Sequence, residues 1–467
     1  MRIRDLISLG KEYLLLALIL CTAIAVIFVI AYFVVYRKLL HGQKKIRATK
    51  MIWCGVMMIY LIVVAGATLL SRGGFYYVHV AKLFSSYREA YILQKPVLWR
   101  NIILNYLMFV PLGFLIPIGI KRFKLWWRVT ACGFGLSLLI EVFQLILHRG
   151  IFEPDDLLAN TVGCMIGYGV YRIFRQIIDK EEKLWETLLA QFPLTIVILA
   201  FLALFFSYST QELGNNPNRV YDSIPMSVFE VDGLNSFDKE EKELMVYKLN
   251  IMSSEEAIEK GKQFFAGMGE ELNESRVDIY DESVILYDTV GKHNLWINLS
   301  GSMRYTDFEE LFPQQGNSTD MFAGATEEDV REALEGLHMN PLPEAVFSDF
   351  GNGRYRFDLN LEENEGKLYD GFLTCTLSAD SRIAEFDDQI FLLEEYRLFP
   401  SISMKDAYEK IIRGEFQAYI QDSHIKITIE DARVGYSIDT KGYYQPDYCF
   451  DCVINGEKTT IRVPALK

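Results

Sequence analysis

The chain has 467 residues, a net charge of −14 and 51% hydrophobic residues. An acidic balance disfavours a nucleic-acid partner, which needs a basic surface, and the odd count of 7 cysteines sets out no disulfide framework. The charge is divided: residues 1–207 carry 23 Lys and Arg against 11 Asp and Glu, a net of +12, whereas residues 208–467 carry 24 against 50, a net of −26. Two physically different parts follow.

Apolar stretches at 13–35, 51–70, 102–120, 129–147, 157–174 and 188–206 reach or approach the roughly 20 residues that cross a bilayer as a helix. Residues 1–207 are therefore expected to form a polytopic α-helical membrane domain of six transmembrane helices. The first stretch is too long for a signal-peptide core and lacks a small-residue cleavage site, so it reads as a retained helix. The fourth contains Glu141, and the fifth is short, with three glycines. Lys and Arg number six in 36–50, four in 121–128 and four in 172–186. Placing those loops in the cytoplasm puts the N-terminus, the loop 148–156 and everything after 207 outside. Arg72, Lys82, Arg88, Lys95 and Arg100 run against that bias.

The polar residues of the apolar half are concentrated between 137 and 168. Ser137, Glu141, Gln144 and His148 recur at helical spacings of three and four, and so share one face. In the following stretch Asp156, Asn160, Gly163 and Gly167 do the same. A short loop with Arg149, Glu153 and Asp155 joins the two, so both stripes can converge on one pocket. Ionisable groups at membrane depth are costly and usually mark a site. Glu141, with Arg149 as its expected partner, suits acid–base work, lipid-phosphate binding or a proton relay. Asp155 and Asp156 follow Pro154, where carboxylates suit a helix start, and Arg149 is suited to clamping phosphate or carboxylate. The same acids and amides also read as glue that locks helices by hydrogen bonds. Gly163 and Gly167 form a small-residue face for close helix packing. No metal site is expected, and no Ser-His-Asp order, phosphate loop or HExxH pattern occurs in these segments.

The order Glu141, Gln144, Arg149, Asp155, Asp156, Asn160, Gly163, Gly167 resembles the VanZ-like family of membrane proteins. So does the upstream set Asn101, Asn105, Phe109, Pro111 and Gly113. The resemblance covers about residues 55–175, with Glu153 standing where the family pattern leads one to expect Asp. It implies a cell-envelope protein of a Gram-positive bacterium, with a link to resistance against the glycopeptide teicoplanin. It supplies no reaction.

After 207 a polar linker, 208–220, leads into an acidic domain, 221–467. Three helix starts recur at roughly 75-residue spacing, each a Ser or Thr with an acid three residues on: Ser253 with Glu256, Thr326 with Asp329, Ser403 with Asp406. This is the capping-box pattern. Strand-like alternation follows each, at 276–287, 355–361 and 425–436. An extracytoplasmic α+β domain of two or three repeated units, each a helix against an antiparallel sheet, is the expectation. Near the end, Asn455-Gly456 marks a tight hairpin, and the region loosely resembles PepSY-like modules. Cys449 and Cys452 have CxxC spacing, but in a strand they point to opposite faces.

The sequence thus points to an integral membrane protein that binds an envelope lipid, cell-wall precursor or lipoglycopeptide at the outer leaflet. Its expected binding residues are Asn101, Asn105, Glu141, Gln144, Arg149, Asp155, Asp156 and Asn160. No cofactor is expected. One alternative is a lipid-headgroup or wall-polymer transferase or hydrolase with Glu141 or Asp156 as acid or base. A second makes the outer domain a membrane-anchored sensor or regulatory module with a partner protein.

Overall fold

A computed structural model of the protein describes residues 48–70, 80–148, 151–179, 183–220, 224, 229–234, 236–311, 324–364, 367–378, 380–417 and 425–467. The chain divides into two compact units between Glu212 and Leu213.

In the first unit α1 (Ala48–Ala65) runs into a π-helical turn, Gly66–Leu70. Then come α2 (Ser85–Leu93), α3 (Pro96–Gly119), a 3₁₀ turn (Lys121–Phe123), α4 (Trp126–Ile146), α5 (Pro154–Asp179), α6 (Leu184–Leu189) and α7 (Phe192–Ser209). Among the described residues four stretches are long and apolar enough to cross a membrane: Ala48–Leu69, Pro96–Gly119, Trp126–Ile146 and Leu184–Ser209. Of the other two expected spans, 13–35 lies outside the described residues. The 157–174 stretch falls inside α5, which is long enough at 26 residues but too polar to join the four. The physical reason is its position: α5 packs mainly on α3 and then on α4, so much of its surface meets protein and does not have to be lipophilic.

Small residues make that packing close. A Cβ on Gly163 or Gly167 would collide with the carbonyl oxygens of Tyr106 and Val110 on α3, and one on Gly113 would collide with that of Cys164 on α5. The two backbones therefore meet along a glycine seam, as small-xxx-small faces allow. Phe109, Leu112 and Ile116 of α3, Val129 and Ile140 of α4, and Cys164, Tyr168 and Tyr171 of α5 fill the core around it.

The second unit is built on one fourteen-stranded sheet. Its strands are β1 (Phe229–Gly233), β2 (Glu243–Leu249), β3 (Leu272–Ile279), β4 (Ser283–Asp288), β5 (His293–Asn298), β6 (Met303–Asp307) and β7 (Val346–Asp349). They continue with β8 (Arg354–Asn364), β9 (Lys367–Leu377), β10 (Ile383–Asp388), β11 (Phe391–Pro400), β12 (Ile425–Ile438), β13 (Tyr443–Ile454) and β14 (Glu457–Pro464). The helices are α8 (Ser254–Gly267), α9 (Phe308–Leu311), α10 (Glu327–Glu335) and α11 (Met404–Ile412). The main path is β1-β12-β13-β2-β11-β9-β10-β6-β5-β4-β3. The β1–β12 pair is parallel, and the other described ladders are antiparallel.

All three expected capping boxes form: Ser253, Thr326 and Ser403 each accept from the N3 backbone, and Glu256, Asp329 and Asp406 reach back to the cap. The repeats do not each own a core. Phe265 of α8 and Val330 and Leu334 of α10 share one with Leu295, Tyr305 and Phe386, whereas Ala407 and Ile411 of α11 pack on Ile427, Phe450 and Val463. The 276–287 alternation resolves into parts of two strands, β3 and β4, joined by a turn. At the β13–β14 hairpin Asn455 (φ 50) and Gly456 (φ 95) both take positive φ, as a tight type I′ turn requires.

The stretch expected as a linker is helical through Ser209 and is pinned further on. The Gly214 N–H donates to Asp439 (2.6 Å) and the Asn215 N–H to Thr440 (2.8 Å). The Asn216 and Asn218 amides donate to the two oxygens of Asp447 at 2.7 and 2.8 Å. These bonds tie the start of the unit to β13 and the β12–β13 turn.

Candidate functional site

The polar residues of the membrane unit gather at one end of the bundle: toward the start of α3, the finish of α4 and the beginning of α5. With a rise of about 1.5 Å per residue, Asn105 stands about 13 Å into α3, Glu141 about 7 Å from the end of α4, and Asn160 about 9 Å into α5. Ser137, Glu141, Gln144, Asp155, Asp156 and Asn160 are all buried.

Each of these side chains joins two elements. The Glu141 carboxylate accepts the Glu153 N–H at 2.9 Å and so fastens α4 to the loop before α5. Gln144 donates from Nε2 to the Thr68 carbonyl (2.9 Å) and holds α4 to the π-helical turn after α1. The Asn160 amide nitrogen donates to the Ser137 hydroxyl at 3.0 Å, across α5 and α4. Asn105 donates to Asp156, linking α3 to α5.

Asp155 was expected to favour the start of its own helix. Its carboxylate also serves a second helix, because the backbone N–H groups of Phe84 and Ser86 donate to it at 2.5 and 2.9 Å. Phe84 occupies the N-cap position of α2 in a left-handed conformation (φ 66), with no cap from its own side chain. Asp155 is thus a remote N-cap, satisfying orphan donors that α2 cannot satisfy locally. The Ala81 N–H reinforces the same junction by donating to the Phe152 carbonyl (2.9 Å). Next to it the Tyr87 and Tyr106 hydroxyls share a 2.7 Å hydrogen bond. Burial, then that bond, with the negative charge of Asp155 and Asp156 adding to them, pushes the Tyr87 phenol well above its ordinary pKa, which keeps it protonated.

The bonding is not saturated. Gln144 and Asn160 have each spent an amide donor, yet Gln144 Oε1 and Asn160 Oδ1 are enclosed without a hydrogen-bond partner. An enclosed acceptor without a donor costs about 1–3 kcal/mol.

The structure does not bring every expected residue into the cluster. Asn101 is exposed on α3, and His148 is exposed just past the end of α4 with φ 53. Arg149, the expected partner of Glu141, lies outside the described residues. Thr68, Phe84 and Ser86, which sequence reasoning did not single out, enter through backbone groups. Tyr106 adjoins Asn105, and that adjacency was the one cue to the tyrosine pair. Beside this pair runs an apolar cavity of about 820 Å³, lined by Phe84, Tyr87, Tyr106, Leu158, Val162 and Phe201 among others. Among the described residues no group of three or more His, Cys, Asp and Glu side chains could hold a metal ion.

A helical membrane unit whose buried carboxylates and amides cluster at one end, across a glycine seam, is the class that fold and site define. Residues 23–175 match the VanZ/LLP1 family model, so this part of the chain is similar to that family. No curated protein matches the chain. Among solved structures the chain is similar to an uncharacterized protein from Eubacterium rectale ATCC 33656, at 11% identity and a TM-score of 0.27, over 51% of this chain and 89% of that one. It is also similar to the YpeB C-terminal domain of Bacillus megaterium, at 13% identity and a TM-score of 0.23, over 47% of this chain and 95% of that one.

Proposed function

We propose that the VanZ-like unit binds the polar head of an envelope lipid, cell-wall precursor or lipoglycopeptide at the outer leaflet, and so lowers susceptibility to teicoplanin. The observation that carries this reading is the enclosed cluster of Glu141, Gln144, Asp155, Asp156 and Asn160 at one end of an otherwise apolar bundle. The excess of Lys and Arg in 36–50, 121–128 and 172–186 favours an outward-facing cluster. An amphiphile suits the surroundings: its head meets the polar cluster, and its chain follows the apolar cavity past Phe84 and Tyr87.

The test is growth inhibition by teicoplanin and by vancomycin in a susceptible Gram-positive host. Wild type and a 1–212 truncation are expected to protect selectively against teicoplanin, and Glu141→Gln to protect poorly. Protection that persists in Glu141→Gln, or that disappears on truncation, moves the function away from this cluster.

A further inference from the structure

We propose a second lipid site at the opposite end of the membrane unit, one that takes an anionic phospholipid by its phosphate. It stands apart from the cluster around Glu141, since Arg172 lies about 24 Å beyond Asp156 along α5. A cavity of about 490 Å³ is formed there by the start of α4, the later part of α5 and the α6–α7 segment. Leu125, Met165 and Phe192 give it apolar walls, and Lys124, Trp126 and Arg172 bring polar groups.

The walls are fastened to one another. The Tyr168 hydroxyl donates to the Lys124 carbonyl at 2.9 Å, which pins the turn before α4 to α5. Arg172 bridges to Glu186 at 2.7 Å, and Gln191 Nε2 donates to the Gly169 carbonyl at 3.0 Å. Both bonds hold the α6–α7 segment to α5.

The charge balance selects the headgroup. Residues 172–186 carry four Lys and Arg and four Asp and Glu, whereas 121–128 carry four Lys and Arg and no acid. Of the latter, Arg128 donates to the Arg122 carbonyl and lies over the Trp127 ring. Lys121, Arg122 and Lys124 are exposed, and no described acid pairs with them. Glu186 already answers Arg172, so the uncompensated charge is that of the turn, with Lys124 in the cavity wall.

Trp126, Trp127 and Trp185 are exposed at this same end. Tryptophans beside cations mark the level of lipid headgroups, so the ligand at hand is a lipid. Its phosphate meets Lys124 and its chains follow the apolar walls. A zwitterionic lipid brings its own cation to the turn, whereas an anionic one brings the complementary charge.

The probes are dioleoyl phosphatidylglycerol and dioleoyl phosphatidylcholine, offered to the purified full-length chain in detergent, with binding read by native mass spectrometry. Wild type is expected to prefer phosphatidylglycerol about tenfold or more. The combined Lys121→Gln, Arg122→Gln and Lys124→Gln variant should lose that preference, and Asp156→Ala should keep it. Thr130→Phe fills the cavity and leaves every charge in place; it should weaken phosphatidylglycerol binding about tenfold. Should it fail to fold, the charge variant decides. Glycerol phosphate, the headgroup without chains, should not displace the lipid. Equal binding of both lipids overturns the site, as does a preference that survives the charge variant or vanishes in Asp156→Ala. Undiminished binding to folded Thr130→Phe, or displacement by glycerol phosphate, overturns it too and leaves only a charged surface.

Discussion

Asp155→Asn tests the remote cap. The wild-type carboxylate accepts from the N–H groups of Phe84 and Ser86, and hydrogen bonds to a charged group are worth about 1.5–3 kcal/mol each. An asparagine keeps one carbonyl oxygen and loses the charge, so it holds one of the two donors, and more weakly. The expected loss is about 2–3 kcal/mol, localised at the start of α2. Because Phe84 has no cap from its own side chain, nothing local offsets the loss. Amide hydrogen exchange on the full-length protein in detergent reads this directly. Exchange in the first turn of α2 should accelerate roughly 30- to 150-fold, while the middle of α4 stays unchanged. Unchanged exchange at the start of α2 would refute the idea that Asp155 holds that helix. Uniform acceleration throughout the unit would make Asp155 a general stabiliser instead.

Two other perturbations separate the forces in each unit. Gly167→Val drives a branched side chain into the Val110 carbonyl of α3, and overpacking of this kind costs about 1–3 kcal/mol or more; thermal unfolding in detergent should show it, whereas Gly135→Val, whose added Cβ would meet nothing within 4 Å beyond its own helix backbone, should be nearly neutral. In the second unit, burial raises Asp388 from 3.8 to about 6, against the lowering effects of the Ile390 N–H and Lys260. A folded-state pKa above the unfolded one gives stability that is fully present below pH 3.8 and lost as pH rises through about 6. The loss is on the order of 3 kcal/mol. Asp388→Asn should flatten this dependence, seen as slower exchange of β10 at pH 7 but not at pH 4, and a variant with wild-type pH dependence would contradict the assignment.

What the sequence made legible was periodic or local. Ser137, Glu141 and Gln144 recur at helical spacing, so their shared burial on α4 could be expected. The capping boxes at Ser253, Thr326 and Ser403, and the Asn455-Gly456 turn, are set by neighbours within a few residues. The partners across space were not legible. Thr68 serves through its carbonyl, and Phe84 and Ser86 through N–H groups that any non-proline residue has, so no residue type announces them. The same blindness hid the partners of the expected linker 208–220, because Asp439 and Asp447, which Gly214 and Asn216 bond, lie more than two hundred residues on. The polar character of α5 was visible, but its consequence, a helix packed on protein and too polar to rank with the four candidate spans, follows from the close approach to α3. Asn101 lies one turn before Asn105 on the same helix, nearer its start, and is exposed there.

The central claim is that the cluster around Glu141 and Asp156 holds the head of a particular envelope amphiphile. The most direct measurement is the identity and amount of amphiphile that co-purifies with the full-length chain, compared between wild type and a folded Asp156→Ala variant from the same host membranes. The expected result is one species enriched severalfold over its share of the membrane in wild type and returned to that share in the variant. Identical lipid profiles in both proteins, each matching the bulk membrane, would contradict the claim and leave the cluster as the bond that locks α3, α4 and α5 together.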